Sequence, residues 1–447
     1  MSAEQSSVPW TRWRRIAASS YGAVAQTFAA KIFLLVANLA TGILVARTLA
    51  PAGRGELAAM TLWPGLLCSL FTLGVPLALN YNSRRNPGRH AQYVWAAIVL
   101  SAGLGIVATL VGIAIIPHML GKYQLPVVQL AQWLMLMAPF LMMTFVLQAA
   151  LESRTEFTVS NLSKSLPQLI VLGILGALAV TRHLTPFSSA LAYMLPLAIV
   201  PIILGWRLRR TIRVAMDRFR DSTRELLSYG VRSYAIDILG TLSQQVDQVL
   251  VVGLLSASGL GLYAVALSVS RVLGVFHSSL VTVLFPRAAS LAKEDVVALT
   301  GRATRISTFV ASLGAAALIL LLPFLMVRLY GGAFSGVVPV ARILSVEVIV
   351  TGATSILAQA FLATGRPGTI AVLQVIGLSL TVPFMLVLIP RFGLSGAAVA
   401  LLLSSSCRLG MTLSCYPIIL KVKCPQLMIG RADFSYLWIR LRRSTAT

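Results

Sequence analysis

Carboxylates are scarce: the 447 residues hold 13 Asp and Glu against 37 Lys and Arg, and charged residues of both signs make up only 11% of the chain. A soluble globular chain carries roughly 25%, so a water-exposed surface of the ordinary kind is excluded and lipid must cover much of the exterior. Cysteine is rarer still. Cys68, Cys407, Cys415 and Cys424 lie in or beside apolar segments without metal-ligand spacing, so no disulfide framework is expected and they read as small buried hydrophobes. The four histidines, His90, His118, His183 and His277, lie far apart and mostly at the ends of apolar runs, a poor basis for a metal centre or a catalytic triad. The sequence has no P-loop G-x-x-x-x-G-K-[ST], no H-E-x-x-H and no nucleophile elbow, and so gives no footing for ATP-driven or hydrolytic chemistry. The expectation is a protein that is not an enzyme and needs no cofactor.

Apolar sequence takes the place of charge. Hydrophobic residues make up 57% of the chain and the mean hydropathy is +0.85. A hydrocarbon core of about 30 Å needs about 20 apolar residues in helix, and backbone groups at that depth must be satisfied within the segment. Runs of this kind recur from residue 22 to residue 420 and predict an all-α polytopic membrane protein of about twelve spans. Residues 1–21 read as a retained tail in which Trp10, Trp13, Arg12, Arg14 and Arg15 could lie along the membrane interface.

The net charge of +24 suggests nucleic acid in a soluble protein, but here it follows topology. With the N-terminus in the cytoplasm, 26 Lys and Arg fall in cytoplasmic segments and seven (Arg47, Arg54, Lys122, Arg182, Arg328, Arg342 and Arg391) fall on the other side. That bias places both termini inside, requires an even number of spans, and makes membrane lipid rather than nucleic acid the polyanionic partner. The expected location is the bacterial inner membrane. The most basic stretch, residues 207–228, then joins an N-lobe at 22–206 to a C-lobe at 229–420, with a basic tail at 421–447. Its period predicts an amphipathic cytoplasmic helix that anchors the topology.

The halves resemble each other. ILVARTLAPAGRGELAA (43–59) aligns with VLVVGLLSASGLGLYAV (249–265) at an offset of 206, pairing Gly53 with Gly259 and Gly55 with Gly261. QAAL (148–151) and QAFL (359–362) align at a similar offset, 211. Duplication of a six-helix unit accounts for both matches. Six is even, so the units insert in the same orientation and should be related by a pseudo-twofold axis along the membrane normal, with a site between them.

An ionisable group inside lipid costs roughly 2.5 to 3.5 kcal/mol on insertion scales, which makes its default reading functional. Lys31, Asp237, Asp247, Arg271, Glu347 and Arg408 fall inside expected spans. In the first helix Thr27, Lys31, Asn38 and Thr41 share a broad face; in the seventh so do Ser233, Asp237, Gln244 and Gln248. The tenth adds Glu347, Thr351, Thr354, Ser355 and Gln359. These stripes are expected to wall one water-accessible cavity, with Lys31, Asn38, Gln244, Gln248, Arg271 and Arg408 facing substrate and Asp237, Asp247 or Glu347 exchanging a coupling H⁺ or Na⁺. The competing account is structural, with ion pairs and polar glue between helices. Pro64, Pro76, Pro139, Pro196, Pro201, Pro323 and Pro383 also fall within spans and predict bends.

ARTLAPAGRGELAAM, DQVLVVGLLSASGLGLYAVALSVSRV, LFPRAASL, LYGGAF and LATGRPG followed by LIPRFGLSGAAVA stand in that order. Together they resemble the polysaccharide-biosynthesis (Wzx-type) flippases of the multidrug/oligosaccharidyl-lipid/polysaccharide (MOP) exporter superfamily over nearly the whole chain. Arg54, in GRGEL, stands where that family usually has an aromatic residue. The resemblance implies two pseudo-symmetric six-helix lobes in a MATE-like arrangement and a cationic cavity. It further implies a polyprenyl-diphosphate-linked saccharide as substrate, ion-coupled alternating access, and glycosyltransferase or polysaccharide polymerase machinery as neighbours. Rival readings are a cation-coupled multidrug antiporter, which should prefer an acidic cavity, and a non-transporting envelope-assembly protein, which should tolerate neutralised intramembrane charges.

Overall fold

The structure is a computed structural model that describes residues 10–211, 215, 217–288, 291–427 and 430, with side chains described from residue 33 except at 211, 235–237, 282–283 and 285–287. Among the described residues nine helices are long and apolar enough to cross a membrane. Two of these nine are double. Trp10–Phe71 breaks at Ala50 (φ 56°, ψ 178°) and Pro367–Cys415 breaks at Gly393 (φ 56°, ψ −133°). Phe219–Leu254, 36 residues long, is about 54 Å of helix but too polar to count among the nine, since it carries three aspartates and three glutamines. Twelve rods result.

We number them in chain order: α1 (10–49), α2 (51–85), α3 (His90–Met119), α4 (125–153), α5 (Phe157–Val180), α6 (Pro186–Thr211), α7 (Phe219–Leu254), α8 (257–288), α9 (293–330), α10 (Val337–Ala363), α11 (367–392) and α12 (394–420). Loops α1–α2, α3–α4, α5–α6 and their C-lobe counterparts lie at one end, called here the turn end. The remaining loops lie at the other, the linker end. Proline acts as expected at two breaks: Pro76 restarts α2 after Leu73 and Gly74 (φ 68°), and Pro139 restarts α4 after the 3₁₀ turn Met135–Met137. In both it occupies the first turn, where its missing N–H costs nothing.

The 206-residue offset is visible in three dimensions. A Cβ built on Gly55 would collide with the carbonyl of Ala257, and one built on Gly261 would collide with the carbonyl of Pro51. Ala257 stands 206 residues after Pro51, and Gly261 stands 206 after Gly55. The contact is therefore reciprocal, as a twofold axis requires, and the axis passes between the two G-x-G turns. Likewise a Cβ on Gly53 would lie 3.1 Å from the Leu49 Cβ, and one on Gly259 would lie 3.1 Å from the Leu255 Cβ. At the first helix start Pro51 sets the turn. At the second, Ser256 accepts a bond from the Gly259 N–H at 3.3 Å, an ordinary N-cap.

The largest apolar core crosses both lobes, joining Val45, Leu57 and Met60 to Val251, Leu260 and Tyr330. At the linker end the cores separate. One holds Val75, Tyr93, Leu147 and Leu204 with Leu226 from α7; the other holds Val296, Leu357, Phe361 and Tyr416.

Helix α7 connects the two bodies. Its first turns, sequence that reads as the end of a surface linker, pack on the N-lobe. Glu225 meets Arg89 at 2.9 Å and accepts a bond from the Tyr93 hydroxyl, Tyr229 stacks on Tyr81 with ring centroids 4.1 Å apart, and the Tyr234 hydroxyl donates to the carbonyl of Ser69. Gly230 presses backbone to backbone on Gly74, where an added Cβ would sit 2.6 Å from the Gly230 oxygen.

Candidate functional site

Asn38 and Gln244, equivalent at the repeat offset, are both exposed on their helices, whereas the residues three positions on, Thr41 and Asp247, are both buried. Three residues of helix turn a side chain by about 60°, and in each copy that rotation separates an exposed position from one inside its own lobe. Thr41 accepts a bond from Gln168 of α5 at 3.1 Å. Asp247 accepts one from the Tyr263 hydroxyl of α8 at 2.8 Å, while its other oxygen has no partner among the described residues. The polar face expected on α1 is thus divided: Asn38 faces outward, and Thr41 belongs to the interior of the N-lobe.

Arg271 sits in the 3₁₀ break of α8, Arg271–Leu273. It is exposed, reaches the Gln244 carbonyl of α7 at 3.4 Å, and is near enough to act electrostatically on Asp247. Gln248 is half-buried. Asn38, Gln244 and Arg271 are therefore exposed polar positions on α1, α7 and α8, of which Gln244 and Arg271 are in contact. The side chains of Lys31 and Asp237 lie outside the described residues.

Glu347 and Arg408 meet inside the C-lobe. Glu347 Oε1 accepts from Thr351 Oγ1 at 2.5 Å and from Ser405 Oγ at 2.8 Å, and Arg408 Nη2 donates to Thr351 Oγ1 at 3.3 Å. The threonine hydroxyl thus links carboxylate to guanidinium without a direct ion pair. Arg408 lines a small pocket of about 10 Å³ with Ser243, Gly377, Thr381, Ser404 and Ser405, about enough space for one water. Its Nε and the Ser243 hydroxyl are buried there without partners among the described residues. Arg408, expected in the substrate cavity, is half-buried between α7, α10, α11 and α12. Helix α10 packs against α8, α9, α11 and α12; of its stripe Thr354 and Gln359 are buried, Glu347 and Thr351 are half-buried and Ser355 is exposed.

Among the described residues ion pairs do not absorb the charges of Asp247, Arg271, Glu347 and Arg408. The four salt bridges among the described residues, Arg89–Glu225, Arg154–Glu156, Lys164–Glu152 and Arg207–Glu156, all lie at the linker end. Among the described residues no group of three His, Cys, Asp or Glu side chains could hold a metal.

Several participants escape sequence reasoning. Tyr263 shows no polar spacing with Asp247, because the turn between α7 and α8 alone brings them together. Gln168 had a usable signal: Gln374, whose Oε1 is buried and unpartnered among the described residues, follows it by the repeat offset. His277, which reads as a helix-end residue, is 3% exposed within the C-lobe. Its Nδ1 lies 2.7 Å from Ser307 Oγ, and its ring covers Gly352 so closely that a Cβ there would collide.

Residues 24–292, more than half of the chain, match the family model described as polysaccharide biosynthesis protein. The chain belongs to that family. No curated protein matches its sequence. Among solved structures, an inward-facing multidrug resistance MATE family transporter of the MOP superfamily is similar with a TM-score of 0.73 at 15% identity, over 87% of this chain and 94% of that one. The lipid II flippase MurJ in an inward closed conformation is similar with a TM-score of 0.74 at 12% identity, over 92% and 89% of the two chains. A MOP superfamily transporter from Pyrococcus furiosus, whose binding pocket has reversed polarity, is similar with a TM-score of 0.64 at 14% identity, over 89% and 94%. The polysaccharide biosynthesis protein is thus a multi-pass membrane protein with the MOP fold, as the duplicated twelve-rod pattern requires.

Proposed function

We propose that the protein is a flippase that carries a polyprenyl-diphosphate-linked oligosaccharide across the bacterial inner membrane, with both termini cytoplasmic. The observation that carries this reading is the exposed set Asn38, Gln244 and Arg271, repeated about the axis in its amide positions. In this reading the set faces the space between the lobes, which share a core at the turn end and hold separate cores at the linker end. The bias of basic residues toward the linker end makes that end cytoplasmic, so the cleft would receive its substrate from the inside. An exposed guanidinium, with exposed amides on two other helices, suits a diphosphate or acidic sugar. Unlike charges attract more strongly in a low-dielectric cleft than in water.

In this reading the C-lobe carries the ion coupling. Asp247 and Glu347 each hold a carboxylate that accepts from hydroxyls rather than from a cation, and each could exchange H⁺ or Na⁺ as the lobes rock. The test is transport of the lipid-linked saccharide in proteoliposomes with and without an imposed ion gradient. Arg271→Ala should lower transport at least tenfold at unchanged protein level. Glu347→Gln should remove the response to the gradient while leaving substrate binding intact. Full transport in both variants would refute the assignment. Export of ethidium-like dyes by the wild type would favour the multidrug antiporter instead.

A further inference from the structure

The linker-side ends of α3, α4 and α6 leave a cleft of about 230 Å³ whose walls include Trp95 and Ile98, Met143 and Leu147, and Gly205 and Arg209. Apart from Arg209 the walls offer no charge. Gly205 forms part of the floor, and a Cβ placed there meets nothing within 4 Å, so the cleft is open space and not close-packed interior. The flanking surface is apolar and bare: Ile202, Ile203 and Trp206 of α6 and Val99 of α3 are all exposed. In a chain that spans the bilayer, such a surface faces acyl chains. Since α6 ends at Thr211 and α3 begins at His90, the cleft lies within about two turns of the linker-side headgroup level.

The cations around its mouth differ in what they hold. Arg207 is tied to Glu156 at 3.3 Å and Arg210 lies over the Trp206 ring, 3.6 Å from its centroid. Arg209 is exposed and has no hydrogen-bond or ion-pair partner among the described residues. A dry slot at acyl depth with an unengaged guanidinium at its rim matches an amphiphile with one apolar chain and an anion about a turn above it. Water is a poor occupant, since it would need two to four polar partners in the slot.

We propose that this cleft is a structural lipid site that holds one acyl chain of an anionic glycerophospholipid, with the phosphate on Arg209. Basic pockets between transmembrane helices on the cytoplasmic side attract anionic headgroups, and the charge chooses phosphatidylglycerol over phosphatidylcholine. The site lies on the outer surface of the N-lobe and does not depend on what the central cleft transports.

The test uses the full-length protein in nanodiscs of phosphatidylcholine doped with phosphatidylglycerol, with retained lipid counted by native mass spectrometry. Wild type should retain phosphatidylglycerol selectively. Arg209→Gln should weaken retention about fivefold, the usual effect of one basic residue at the membrane surface. Gly205→Leu, which grows into open space, should abolish retention with Arg209 intact. Arg207→Gln, which touches a charge already paired, should retain the lipid as wild type does. Equal retention in wild type and Gly205→Leu overturns the proposal, and so does an equal loss in Arg207→Gln and Arg209→Gln. Displacement of phosphatidylglycerol by polyprenyl phosphate would overturn it in favour of a substrate-tail site.

Discussion

The reciprocal crossing of Gly55 and Gly261 makes a sharp prediction about which end of the molecule opens. A methyl at Gly55 would fall on the carbonyl oxygen of Ala257, and one at Gly261 on the carbonyl oxygen of Pro51. Both obstacles are backbone, fixed within long helices, so no side-chain rotation relieves the clash and the lobes must part at the turn end. Overpacking typically costs about 1–3 kcal/mol, and a backbone obstacle puts these variants at the upper end. Since each 1.4 kcal/mol is tenfold in a population ratio, Gly55→Ala should shift the balance toward an open turn end by on the order of 100-fold. The assay is labelling of a single cysteine at Gln244→Cys by a membrane-impermeant maleimide added from the turn side. The native Cys68, Cys407, Cys415 and Cys424 are first replaced by serine. Faster labelling is expected in Gly55→Ala and in Gly261→Ala. In the double variant the gain should fall short of the sum, because one separation relieves both clashes. Unchanged labelling with normal expression would refute the view that this crossing seals the turn end.

Two further outcomes follow from packing and charge. Glu225, in the first two turns of α7 and outside the membrane span, feels burial that raises its pKa. Hydrogen bonds from Tyr93 and Arg89 outweigh that effect, and the net displacement is below the ordinary value of 4.5. A depressed carboxylate contributes stability that is present above the unfolded pKa and lost as pH falls through the folded one. Thermal unfolding in detergent should therefore weaken on acidification below about pH 4.5 in wild type and less so in Glu225→Gln, with an effect under about 1 kcal/mol because the pair is partly solvated; identical acid profiles would sink this reading. Gly352→Ala forces a methyl into the His277 ring and should cost about 1–3 kcal/mol, recovered in part by adding His277→Ala; purely additive losses in that double-mutant cycle would show that the two residues do not press on each other.

Much of the architecture was legible because its causes are local. Eleven of the twelve rods follow from apolar run length, α7 being too polar, and the sidedness of basic residues favours an even count. The G-x-G pairing fixed the offset that the structure shows as a twofold contact. Neighbour choice was less legible. The tenth-helix stripe correctly groups Glu347, Thr351 and Ser355 on one side, yet helical period says which residues share a face and not which helix meets them. For the same reason the sequence places Arg408 within a span without naming Thr351 and Gly377 as the residues it meets. Residues 219–228 read as a surface helix because they are basic, but Leu226, Tyr229 and Gly230 at helical spacing mark the face that docks on the N-lobe.

Divergence between the copies then bears on mechanism. Positions 41 and 247 are equivalent, equally buried, and each bonded to a helix of its own lobe. In the N-lobe that position carries a threonine held by the amide of Gln168, a neutral pair indifferent to pH and salt. In the C-lobe it carries an aspartate with one oxygen unpartnered among the described residues and a second carboxylate, Glu347, near enough to interact with it electrostatically. A duplicated fold would let either lobe bind a coupling cation, since the geometry is shared. Of the two equivalent positions 247 alone carries a charge, so the coupling proposed above would enter through α7 and α10. Because α7 is also fastened to the N-lobe through Glu225 and Tyr229, a change at Asp247 acts on a helix gripped by both lobes, and the relative position of the lobes is what that helix can transmit.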